Sequence, residues 1–183
     1  MLNIIDTAAR QGQKLVSNFE ALLCEKERYQ IRYEMPDPAA RQINARGTIG
    51  NAAVTETWTK GDDGVHIDGQ IGSSPEHLIW NLASDGAHLD GTVGSIEVHE
   101  SYQPATSGVG GPRWTGSGTI GSKAVTEVDA NNIDSMISDG TLGDEPTNVE
   151  TKFGVDDQGH QTLEAEGQVA GCDYVSRQDM VLS

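Results

Sequence analysis

GTIGNAAVTE at residues 47–56 returns as GTIGSKAVTE at 118–127, eight of ten positions identical at an offset of 71. A shorter core recurs more often. Gly47-Thr48-Ile49-Gly50 is followed by Gly69-Gln70-Ile71-Gly72, Gly91-Thr92-Val93-Gly94, Gly118-Thr119-Ile120-Gly121 and Gly140-Thr141-Leu142-Gly143, with a looser copy at Gly167-Gln168-Val169-Ala170-Gly171. The steps are 22, 22, 27, 22 and 27 residues. Repetition of this kind marks stacked supersecondary units. A solenoid would keep one period, and the 27-residue steps break it. The body therefore reads as an internal duplication, with repeats at 41–110 and 112–183.

Each unit fits two strands and their turns. Val65, Ile67, Gly69 and Ile71 alternate with His66, Asp68 and Gln70, and Leu89, Gly91 and Val93 with His88, Asp90 and Thr92. Period-two alternation predicts half-buried strands. Partner strands follow in Val54-x-Glu56-x-Trp58, Leu78-x-Trp80-x-Leu82, Val98-x-Glu100-x-Tyr102 and Val149-x-Thr151-x-Phe153. Gly61-Asp62-Asp63-Gly64, Ser84-Asp85-Gly86 and Asp156-Asp157-Gln158-Gly159 carry turn chemistry. Short connections favour antiparallel neighbours. A long meander must protect its edges, and closure removes them. The expected fold is all-β: a closed, calycin-like antiparallel meander barrel over residues 27–183.

Residues 1–26 form a separate head. Ile5, Ala8, Leu15, Phe19 and Leu22 share one face of a helix expected over 3–23, which would act as a plug or a lid at the barrel. Residues 27–35 alternate again, and Pro36-Asp37-Pro38 ends this first strand. Residues 1–46 hold seven Lys/Arg and six Asp/Glu, so of the net −16 the rest of the chain carries −17. A near-neutral head on an acidic body suggests electrostatic docking between them.

If the Gly-Ile face points inward, parity turns Glu56, Glu100 and Glu127 inward as well. A carboxyl group in an apolar interior resists ionisation, and like neighbours reinforce this. A neutral acid can donate a hydrogen bond or act as a general acid. Glu56, Glu100, Glu127 and Tyr102 are thus the candidate catalytic groups. Trp58, Trp80, Trp114, Tyr174, Gln178 and Phe19 are the candidate substrate-binding residues.

Several classes are disfavoured. The acidity repels nucleic acid and anionic membranes, and no apolar run is long enough for a spanning helix. No glycine-rich phosphate loop opens a helix, and no nucleophile elbow is present. His66 and His88 fall two strands apart, ~9–10 Å, too far to share one ion. His99 and Asp90 are expected to face each other across the hairpin at Gly94-Ser95. Neither a metal nor a cofactor is expected. Cys24 and Cys172 read as two reduced thiols in a cytoplasmic protein. A homodimer stays open.

An amphipathic N-terminal helix preceding a small acidic meander barrel, with aromatics and a few polar groups inside, resembles the barrel-type Diels–Alder cyclases of spirotetramate and spirotetronate polyketide biosynthesis. That resemblance implies a cofactor-free intramolecular 4+2 cycloaddition of a linear apolar polyene. Such chemistry needs a chamber that orients diene and dienophile and one donor to a carbonyl. Two alternatives use the same fold: a non-catalytic carrier of an apolar small molecule, and a structural barrel with a filled core.

Overall fold

The computed structural model describes residues 29–35, 39, 41–105 and 113–181. These contain thirteen strands and no α-helix: β1 (Tyr29–Glu34), β2 (Gln42–Ile49), β3 (Ala52–Lys60), β4 (Val65–Ile71), β5 (Ser74–Ala83), β6 (Gly86–Val93), β7 (Ile96–Ala105), β8 (Arg113–Ile120), β9 (Lys123–Asn131), β10 (Ser135–Leu142), β11 (Glu145–Val155), β12 (Gln161–Val169) and β13 (Cys172–Val181). The helix expected over 3–23, with Phe19, lies outside the described residues.

The strands form one closed barrel in which β1 sits between β13 and β2. From β1 to β13 every consecutive pair is antiparallel. The seam departs from the all-antiparallel expectation. β1 runs parallel to β13, placing Ile31 beside Gln178 and Tyr33 beside Met180. The reason is parity of count: a meander alternates direction at each turn, so an odd number of strands closes first and last in the same sense.

The remaining twelve strands fall into two sets of six. β8 and β9 begin 71 residues after β2 and β3, and β12 and β13 end 76 residues after β6 and β7. The difference of five is absorbed mainly in the longer β11–β12 connection. There Asp156 accepts hydrogen bonds from the backbone N–H groups of Gln158 and His160.

One motif copy explains the glycine pattern. At Gly118 a side chain would overlap the His99 carbonyl oxygen on β7 and lie 2.7 Å from the Glu100 Cα. The neighbouring backbone comes too close for any Cβ. Three residues on, Gly121 has φ 58°, the left-handed conformation of the two-residue β8–β9 turn. The same pair of demands recurs at the other copies, with Ala170 (φ 48°) at the turn of the last one, which is why Gly-x-x-Gly is the visible repeat.

Alternation then sorts the side chains. Val54, Glu56, Trp58, Ile67, Ile71, Leu78, Leu89, Val93, Val98, Tyr102, Ile120 and Leu142 are buried inside. Leu82 keeps the inward parity but is 54% exposed. It lies beyond Trp80, past the last buried layer of β5. Cys172 is also a correction: it is disulfide-bonded, not a reduced thiol.

Candidate functional site

Glu56, Glu100 and Glu127 all point into the barrel, 5%, 3% and 7% exposed. Two further acids join them, Glu76 and Asp129, each 1% exposed. Among the described residues no Lys or Arg is buried. Five carboxyl groups thus share an interior in which the described strands place no basic side chain.

The first group forms around Gly69. In register, Gly69 on β4 is flanked by Glu56 on β3 and Glu76 on β5. Gly69 contributes no side chain, so the two glutamates meet over it in a hydrogen bond. Trp58 Nε1 donates to Glu56 Oε2 at 2.7 Å, and the Tyr33 ring meets Trp58 edge-on with centroids 5.8 Å apart. Burial raises the Glu56 pKa, against the opposing hydrogen bonds from Trp58 and Glu76. Burial, and next the charge of Glu56, push the Glu76 pKa up to about 9. Two carboxyl groups held together away from water share a proton. Glu76 carries it and donates to Glu56, which already accepts from Trp58.

The second group lies on β7, β9 and β10. Tyr102 OH donates to Glu100 Oε2 at 2.7 Å, and Ser138 Oγ donates to Asp129 Oδ1 at 2.7 Å. Gly116 separates Tyr102 from Glu127 in register, and Tyr102 also packs on Trp80 with centroids 5.5 Å apart. Burial raises the Tyr102 pKa well above its ordinary value, and the charges of Glu100, Glu127 and Asp129 add to the effect. Tyr102 therefore stays neutral, with its proton engaged by Glu100.

The binding candidates divide. Trp58, Trp80 and Tyr174 are buried and Gln178 is wholly so, while Trp114 is half-buried against the core. Trp80 Nε1 and both amide atoms of Gln178 are buried without a hydrogen-bond partner. Sequence reading missed Glu76 and Ser138. The signal for Glu76 was present, since it shares the parity of Leu78 and Trp80 on β5.

The outer face carries four histidines and the β11–β12 connection carries His160, each beside an aspartate. His66–Asp63 and His77–Asp68 are 2.9 Å apart, His88–Asp85 3.2 Å, His160–Asp156 3.0 Å. His99 meets Asp90 at 2.8 Å across the expected hairpin. Mostly exposed pairs of this kind contribute little to stability. Among the described residues no three His, Cys, Asp or Glu side chains are arranged to hold a metal ion.

No family model matches this chain, and neither a curated protein nor a solved structure matches it.

Proposed function

We propose that the barrel interior is a chamber for one largely apolar small molecule, and that Gln178 and Trp80 supply its polar contacts. The observation that carries this reading is Gln178, 0% exposed with both amide atoms unpartnered. Leaving a buried polar group unsatisfied costs about 1–3 kcal/mol. A side chain kept at that cost, in place of a leucine that would pack without it, is accounted for by a ligand that completes its hydrogen bonds. Barrel size supports the reading. About eight strands enclose a space that side chains just fill, whereas 16–18 leave an aqueous channel. Thirteen strands lie between.

Within such a chamber, cofactor-free 4+2 cycloaddition is the chemistry that the resemblance suggests. It is an isomerisation, so it needs orientation and a donor, with no nucleophile or redox partner. Gln178 is among the donors the sequence suggests, and Trp80 joins it. The protons of Glu76 and Tyr102 are engaged by Glu56 and Glu100, so Gln178 Nε2 or Trp80 Nε1 would polarise a dienophile carbonyl. A carrier would use the same contacts without turnover. A linear substrate with conjugated diene and activated alkene separates the two: a cyclase bleaches the diene absorbance at constant mass, and a carrier leaves it intact.

The outer wall bears Thr55, Asp68, Asp90, Glu164 and Arg177 in place of the apolar belt of a membrane barrel. The disulfide at Cys172 weighs toward an oxidising compartment and against the cytoplasm.

Gln178→Leu tests the reading. Removing an unsatisfied amide should raise the stability of the ligand-free protein by about 1–3 kcal/mol. That corresponds to several degrees of melting temperature at this size, about 2–4 °C per kcal/mol. Affinity for a long-chain methyl ketone should fall at the same time. A destabilised variant with unchanged ketone affinity would reject the proposal.

A further inference from the structure

The Glu56–Glu76 pair has a feature the chamber reading leaves unused. Glu76 is 1% exposed, and its Oε2 has no hydrogen-bond partner. As an acceptor, Oε2 receives no hydrogen bond from the described residues. It can be satisfied only by a donor. One proton between two carboxyl groups leaves the pair with one net negative charge, and among the described residues no Lys or Arg is buried to offset it. A neutral hydroxyl would satisfy the acceptor and leave the charge unbalanced; an ammonium group answers both.

We infer that the Glu56–Glu76 pair anchors a protonated amine on the chamber's ligand. The inference rests on the chamber proposed above and names the ligand's polar end: an apolar amine, its nitrogen on the pair. A divalent cation suits the site poorly, because two carboxyl groups sharing one proton give too few ligands.

The test uses the full chain at pH 7 with three probes of equal length: octylamine, octanol and octanoate. Isothermal titration should give octylammonium an affinity about tenfold or more above octanol, the gain expected of a charge-assisted hydrogen bond out of water. Octanoate should bind most weakly. Glu76→Leu and the isosteric Glu56→Gln should each erase the preference for amine over alcohol while octanol still binds. The second variant keeps the test open should the first fail to fold. Equal affinity for amine and alcohol in the unmodified protein would overturn the amine anchor and leave the chamber standing. A preference that survives both substitutions would overturn its placement at this pair. Absence of binding by all three probes would overturn the anchor and the chamber together.

Discussion

Gly118→Ala is expected to destabilise the barrel by about 3–5 kcal/mol, at the upper end for a single substitution. The cause is local and steric. The added methyl would overlap the His99 carbonyl oxygen and stand 2.7 Å from the Glu100 Cα, and both atoms belong to backbone held by the β7–β8 ladder. Backbone in a closed barrel has little freedom to retreat, since moving β7 disturbs its pairing with β6 as well. Gly61→Ala is the matched control. Its nearest contacts are the flexible ends of Asp63 and His66, so the change should stay within about 0.5 kcal/mol. Urea denaturation of both variants checks the contrast. Equal midpoints would mean that the repeated glycine is not required by strand approach.

Glu76→Gln should flatten the pH dependence of stability. Burial and the neighbouring Glu56 raise the Glu76 pKa from 4.5 to about 9. Between those values the native state holds a proton that the unfolded chain has released. Raising the pH therefore favours unfolding, by at most about 1.4 kcal/mol per pH unit for one such group. From pH 5.5 to 8.5 the unmodified protein should lose about 2–4 kcal/mol. Glutamine keeps a donor toward Glu56 and cannot ionise, so only the part due to Glu56 remains. Thermal or urea denaturation across this range reads the difference. Parallel profiles for the two proteins would show that Glu76 is not held protonated.

Strand phase was legible because inside and outside alternate residue by residue. Ile67, Gly69 and Ile71 announce their face, and the matching parity of Glu56, Glu100 and Glu127 placed all three inside. The closure of the meander was legible from its length, since so many strands must protect their edges, whereas its parallel seam depends on the total count of strands, which no local pattern carries. Glu76 was hidden for a different reason. Its partner across the sheet is Gly69, and only the β4–β5 register reveals that an empty slot lets it reach Glu56. The sequence suggested neutral acids with protons to offer. Which oxygen receives each proton is a matter of geometry, and in both groups the answer is another carboxylate. Leu82 has the right parity and the wrong height on its strand. The disulfide at Cys172 could not be read from two distant cysteines.

The central claim is that the barrel admits a ligand, and the emission of its buried tryptophans tests it most directly. Trp58 and Trp80 lie inside the wall, 4% and 5% exposed. Titration with a long-chain methyl ketone should change their fluorescence saturably at one equivalent per chain, with Gln178→Leu weakening the response. Emission that does not respond until the ketone reaches its solubility limit would mean a filled core, and would contradict the account.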